Sequence, residues 1–304
     1  MTKVVECIPN FSEGRNQDIL AGLKHAAAAV PGCALLDVHT DTDHNRSVFT
    51  LAGSPAAIEE AAFQLMQQAQ RTIDMTKHRG AHPRMGATDV LPFVPLMGTT
   101  MEECVDISKR VAKRAWEELG IPSFLYEQSA LSPLKRNLAD IRRGEFEGMN
   151  DKMKQPQWAP DYGTPQVHPT AGVTAIGARM PLIAFNVNLD TDNVDIAKAI
   201  AKAIRGSSGG FEHCKALGIM LKDRNRAQVS MNMVNYEGTP LYRVFEAIRF
   251  EARRWGVSIL SSELVGMAPA KALIDTAAYY LQLENYNFEK QVLENHLLYT
   301  GDEP

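Results

Sequence analysis

Lys77, His78, Arg79, Gly80, Ala81, His82, Pro83 and Arg84 form the densest polar constellation of the sequence, three fixed cations and two imidazoles within eight residues. The i, i+4 spacing of His78 and His82 is that of helical zinc motifs. Gly80 and Pro83 oppose a continuous helix there, and Arg79 stands where the motif needs a glutamate, so no metal is expected. Two readings remain. One is a basic surface loop. The other is a loop whose Arg and Lys clamp carboxylates while the neighbouring positive charge lowers a histidine's pKa, keeping it neutral and able to accept a proton near pH 7. The second suits an acidic substrate.

A rival stretch, Asp37, His39, Asp41, Asp43, His44 and Asn45, imitates the opening of a calcium loop. It fails at the sixth position, Arg46 where Gly is needed, and at the twelfth, Ala52 where a bidentate Glu belongs. A hairpin loop is the expectation. Ser207, Ser208, Gly209 and Gly210 lack the Lys and the spacing of a phosphate loop, and no nucleophile elbow or dinucleotide fingerprint is present. Kinase, dehydrogenase and hydrolase readings therefore lose their usual support.

The elements that must position the constellation follow from patterning. Residues 3–9 are β-branched and apolar, and a helical pattern follows through Ile19, Leu20, Leu23 and Val30 until Pro31 and Gly32 stop it. Strands are expected at 33–38 and 47–51, joined by the polar stretch 39–46. Ser54 caps and Pro55 opens a helix reaching about Ile73, and 90–96 reads as the next strand. A helix over 100–119 carries a capping box, Thr100 with Glu103, and its Lys109, Arg110, Lys113 and Arg114 read as a solvated face. From 144 to 177 the composition shifts to Gly, Pro and Gln, the mark of a long and functional linker. The order then repeats: a strand over 180–189, a helix over 194–204, two strands about Arg224 and Asn225, a helix from Thr239–Pro240 to Trp255, a strand over 257–260 and a helix over 269–283. Thr239 with Pro240 repeats the Ser54–Pro55 device. Two copies of a split strand-helix-strand pattern predict an α+β fold of two ferredoxin-like sandwiches, 1–178 and 179–304, each an antiparallel sheet with helices on one face.

Composition bounds the partners. The 304 residues are 45% hydrophobic and 22% charged with a formal charge of -4, so no global field draws in nucleic acid or a membrane surface. Cys7, Cys33, Cys104 and Cys214 lie far apart without a C-x-x-C pair and read as buried thiols of a reducing compartment. The N-terminus lacks the pattern of a signal peptide, and no run of about 18 apolar residues is present, so a cytoplasmic protein is expected.

VECIPNFSEG at 5–14, PGCALLD at 31–37 and KHRGAHPRMGATDVLPFVP at 77–95 closely resemble the formiminotransferase family. In the second half IAFNVNLD at 183–190, the 207–210 stretch, AQVSMNMVN from Ala227 and ELVGMAP from Glu263 are similar to that family's second subdomain. The resemblance covers nearly the whole chain, in order. It implies a ligand groove between the two subdomains, a homodimer, and transfer of a formimino group between N-formimino-L-glutamate and N5 of tetrahydrofolate, the co-substrate, in histidine degradation and one-carbon metabolism. The family's catalytic histidine falls on His82. Its folate-binding segment falls on Gly163, Thr164, Pro165, Gln166, Val167, His168, Pro169, Thr170, Ala171 and Gly172, where the match is weaker. In animals the family domain is fused to a cyclodeaminase, here expected as a separate polypeptide.

The chemistry needs two proton moves, from N5 as it attacks the amidine carbon and to the departing glutamate amine. Neutral His82 is the expected acid-base group, with Arg79 and Arg84 holding the glutamate carboxylates, or else salt-bridged to Asp74 or Asp89. Asn10, Asn186 and Asn188, on the first strand of each half, can orient pterin or amidine nitrogens, or cap turns. A formyltransferase using N-formyl-glutamate and a non-catalytic folate-binding protein are the alternatives.

Overall fold

The computed structural model describes residues 3–80, 83–221 and 224–299. The chain divides into two units, Met1–Arg179 and Met180–Pro304.

In the first unit the opening strand is broken into β1 (Val5–Cys7) and β2 (Asn10–Phe11). Pro9, which has no N–H to place in a ladder, causes the break. Its carbonyl still accepts from Phe49 N at 3.0 Å, and Ile8 N donates to Pro92 O at 3.2 Å, so the two pieces stay in one sheet. Helix α1 (Gln17–Ala28) starts where Asn16 accepts from the amides of Asp18 and Ile19. Strands β3 (Cys33–Asp41) and β4 (Arg46–Gly53) form the expected hairpin, but its loop is shorter than the polar stretch suggested. His39, Thr40 and Asp41 continue the ladder because β3 is the sheet's edge, where polar side chains reach water.

Helix α2 (Pro55–Thr72) has Ser54 as N-cap and Pro55 in its first turn, and α3 (Met101–Leu119), after β5 (Thr88–Pro95), has the Thr100–Glu103 capping box. The basic residues of α3 are less free than expected. Arg110 pairs with Glu59 at 2.7 Å and Arg114 with Glu60, both on α2. Next come β6 (Ser123–Glu127), α4 (Leu138–Arg142), α5 (Glu145–Met153) and β7 (Thr174–Ala178). β1 and β2 lie between β4 and β5, and β7 lies between β5 and β6, parallel to both.

Two expectations are corrected here. The sheet is mixed, antiparallel only from β3 to β5, because the connection through α3 returns β6 in the direction of β5. It also carries helices on both faces. Phe11, Leu51 and Phe93 pack with Leu23, Ile58 and Ile107 of α1, α2 and α3. Alternate positions Val90, Phe124, Tyr126 and Ala175 pack with Ile141, Met149 and Met153 of α4 and α5. The predicted 144–177 linker thus contributes α5 to this second layer and ends in β7.

The second unit runs β8 (Ile183–Leu189), α6 (Val194–Ile204), β9 (Cys214–Leu221), β10 (Arg226–Met233), α7 (Leu241–Arg254) and β11 (Ile259–Val265), followed by α8 (Ala270–Leu281), α9 (Phe288–Gln291) and α10 (Leu293–Tyr299). Its sheet order, β11-β8-β10-β9, is antiparallel throughout, the ferredoxin-like arrangement expected. Ile183, Val187 and Leu189 face Ile200 and Ile204 of α6 and Val244 and Ile248 of α7. Asn186 and Asn188 alternate with them and take the other face. The Ser54–Pro55 device is not repeated at Thr239–Pro240: α7 begins one residue later, so Pro240 is itself the cap and supplies no side-chain hydrogen bond. Among the described residues no helix is long and apolar enough to cross a membrane.

Candidate active site

The polar constellation lies between α2 and β5, and its described residues are tied to two other loops of the first unit. Asn45, buried in the turn between β3 and β4 at φ 48, accepts from Gly14 N through Oδ1 at 2.9 Å and donates through Nδ2 to the Arg79 carbonyl at 3.1 Å. The same carbonyl accepts from Arg15, whose Nε reaches the Thr42 carbonyl at 2.7 Å. The loops approach at backbone contact, so glycine is required: a Cβ on Gly80 would lie 2.2 Å from the His44 carbonyl oxygen, and one on Gly14 2.4 Å from that of Asp41.

His78, read from the sequence only as half of a rejected zinc pair, is the buried pin of this arrangement. It is 7% exposed. Its Nε2 is 3.0 Å from the Asn45 carbonyl and its Nδ1 3.2 Å from Arg84 Nε. A guanidinium Nε–H only donates, so Nδ1 is the acceptor and the ring proton sits on Nε2, donated to Asn45. Burial pushes the imidazole's pKa below its ordinary value; the hydrogen bond to Asn45 opposes this and the Arg84 charge adds to it. The ring is therefore neutral at pH 7, with both nitrogens engaged. His82, the expected acid-base group, lies outside the described residues, as does Ala81.

Arg84 is ion-paired, and its partners are neither Asp74 nor Asp89. Its Nη1 donates to Glu145 at 2.7 Å and to Glu147 at 2.9 Å, and Nη2 to Glu147 at 2.6 Å, with the side chain 9% exposed. Asp89 accepts from Met85 N and from Arg142, and Asp74 from Thr76 and Lys77. The acids that found Arg84 sit in the first turn of α5, inside the stretch read as a linker, which is why spacing alone could not reveal them. Arg79 is exposed, its Nη1 donating to the carbonyl of His78 at 2.7 Å.

The 163–172 segment and Val173 after it are joined by backbone to the residues on either side of this loop. Met75 N donates to Thr170 O at 2.8 Å, Ala87 N to Ala171 O at 2.9 Å and Val173 N to Met85 O at 3.0 Å. Gly86 and Gly172 form an isolated bridge, with Gly172 at φ 71. His168 organises the segment from within, its Nδ1 accepting from the amides of Thr170 and Ala171 at 3.3 and 3.0 Å. Thr164, Pro165, Gln166 and Pro169 are exposed, while Ala171 and Gly172 are buried. Two segments about ninety residues apart in the chain thus form one surface next to each other.

The three asparagines divide between the units, Asn10 in the first and Asn186 with Asn188 on one face of β8 in the second. Asn10 donates to the carbonyl of Ile8 at 3.0 Å, the turn role. Asn188 donates to Ser261 Oγ at 3.0 Å and accepts from Gln228 at 2.8 Å, and Asn186 lies 3.5 Å from Glu263, both in the second unit.

Residues 4–179 match the family described as formiminotransferase domain, N-terminal subdomain, and residues 184–297 match formiminotransferase domain. The chain is 64% identical to a glutamate formimidoyltransferase of Streptococcus pyogenes serotype M1, over 98% of this chain and 100% of that protein. It is 48% identical to a glutamate formimidoyltransferase of Thermoplasma acidophilum over 97% of each. It is 43% identical to a formimidoyltransferase-cyclodeaminase of Mus musculus over 93% of this chain and 53% of that protein. Matched in both units and over nearly its full length, the chain belongs to the formiminotransferase family.

Proposed function

We propose that this protein is a glutamate formimidoyltransferase, moving the formimino group between N-formimino-L-glutamate and N5 of tetrahydrofolate. The observation that carries the reading is the joining of the residues that flank the 77–84 loop, Met75 before it and Gly86 and Ala87 after it, to the 163–172 segment by backbone pairing, in a chain whose full-length relatives are named for this activity. In the forward direction the N5 lone pair attacks the amidine carbon, His82 takes the proton that N5 releases, and the tetrahedral centre expels the glutamate amine, which His82 protonates. The products are 5-formimino-tetrahydrofolate and L-glutamate. Gly163 to Gly172 take the folate, with the exposed Thr164, Pro165, Gln166 and Pro169 as its contacts. Arg79, exposed within the loop, is the other arginine of 77–84 and the first candidate for a glutamate carboxylate, Arg84 being paired with Glu145 and Glu147.

Purified protein mixed with tetrahydrofolate and N-formimino-L-glutamate should release glutamate, and His82→Ala should lower turnover about 10²- to 10⁴-fold with folate binding retained. Turnover with N-formyl-L-glutamate alone would install the formyl reading, and near-normal turnover in His82→Ala would remove the base. Four free cysteines fit a reducing cytoplasm. We further propose a homodimer, checked by light scattering, and a cyclodeaminase as consumer of the product, as the fused relatives' names suggest.

A further inference from the structure

The face of the second unit's sheet turned away from α6 and α7 carries a polar network across three strands. Register places Asn188 beside Gln228 and Ser261, and Asn186 beside Glu263. Asn188 and Gln228 are 3% and 2% exposed and bonded to one another. Such a network fixes the side chains around Glu263. Glu263 differs from its neighbours. Its Oε1 accepts from Arg224 at 2.8 Å, while among the described residues Oε2 has the amide nitrogens of Gln228 and Asn186, at 3.3 and 3.5 Å. Both distances exceed the usual 2.9–3.0 Å for N–H···O, roughly, so a better donor can displace them. The side chain is 34% exposed and that of Arg224 63%, so the pair is reachable from solvent.

We infer that Glu263 and Arg224 are a recognition site for the donor substrate, Glu263 for its amidinium and Arg224 for the adjacent α-carboxylate. The inference rests on the proposed reaction. Amidines are protonated at neutral pH, and in N-formimino-L-glutamate the amidinium nitrogen and the α-carboxylate share one carbon, so the ligand presents opposite charges side by side. A Glu–Arg pair on a flat sheet matches that pattern in reverse, and a carboxylate binds the two N–H groups of an amidinium as it binds a guanidinium fork. An N-formyl group is neutral and has no such pair to offer, which makes Glu263 the residue that separates the two donors.

The test is steady-state kinetics of wild type, Glu263→Gln and Arg224→Met, with N-formyl-L-glutamate as a competitor and melting temperature as the check on folding. Glu263→Gln should raise KM for N-formimino-L-glutamate roughly 10- to 100-fold, the loss of a charged hydrogen-bonded pair, while KM for tetrahydrofolate and inhibition by N-formyl-L-glutamate stay within about twofold. Arg224→Met, at an exposed side chain, should weaken both glutamate derivatives. A donor KM unchanged in Glu263→Gln, or a change confined to tetrahydrofolate, overturns the inference. Should wild type show no turnover, the proposed reaction fails separately. Calorimetric titration of N-formimino-L-glutamate into wild type and Glu263→Gln then decides the site alone, equal affinities refuting it.

Discussion

Arg84→Met tests whether the arginine that dominates the 77–84 loop is scaffold or substrate clamp. The substitution removes the charge-assisted bonds to Glu145 and Glu147 and takes away the donor to His78 Nδ1. A surface ion pair contributes about 0–1 kcal/mol, whereas removing one partner of a buried pair costs about 3–5 kcal/mol. Here the arginine is 9% exposed but the carboxylates are 43% and 62% exposed, so the acids left behind regain water and the larger figure does not apply. The buried Nδ1 of His78 has no such escape. The expected loss is about 2 kcal/mol, or about 4–8 °C in the melting of the first unit at about 2–4 °C per kcal/mol. The assay is thermal melting with donor KM on the same samples. The Arg84 bond holds the Glu147 carboxyl below its ordinary pKa, so its stabilisation is present above that pKa and is lost as pH falls through the folded value. The gap between wild type and variant should therefore close at acid pH. An unchanged melting temperature with a raised donor KM would refute the scaffold assignment and restore Arg84 as a clamp.

Further outcomes are expected around the same loop. Gly80→Ala places a methyl 2.2 Å from the His44 carbonyl oxygen, so the loop must shift; melting should fall by an amount equivalent to about 1–3 kcal/mol and turnover at least tenfold, and unaltered turnover would detach loop geometry from catalysis. His78 should hold its neutral Nε2–H tautomer below pH 6.5 in nitrogen-detected NMR. Because its folded pKa is depressed, its stabilisation is full above about pH 6.5 and declines as pH drops below it, the unfolded chain then binding the extra proton; a ring titrating above 6.5 would contradict the burial argument.

Periodicity and caps made much of this fold legible. Ser54 with Pro55, Thr100 with Glu103 and the alternation along 183–189 mark elements whose signals are local, and the structure has them there. What stayed hidden depends on distant partners. SFLYE and TAIGA are five residues each, too short for a period, and become strands because each finds the other in a parallel ladder. Glu145 and Glu147 look like two acids of a loop until the chain brings Arg84 to them. His78 looked like half of a metal pair because sequence spacing shows neighbours in the chain, whereas its partner Asn45 stands 33 residues away. Glu263 entered the sequence reading only as the first residue of a matching stretch, because its polar partners come from register with β8 and β10 rather than from its own segment.

The central position of β7 has a consequence for how the first unit assembles. β7 is the last strand of that unit to be synthesised, yet it is the one that β6 pairs with, and it fills the place between β5 and β6. A nascent chain that has not reached Thr174 can close the hairpin and pack α1 against α2, but it must hold a strand-wide vacancy in the sheet. The 163–172 segment leads straight into that strand and docks on Met75, Gly86 and Ala87 as the strand inserts. Closing the sheet and joining the two halves of the candidate site are therefore one late, long-range event, of the kind that makes folding slow. A fragment ending before β7 would leave β6 unpaired and the candidate site in separate pieces.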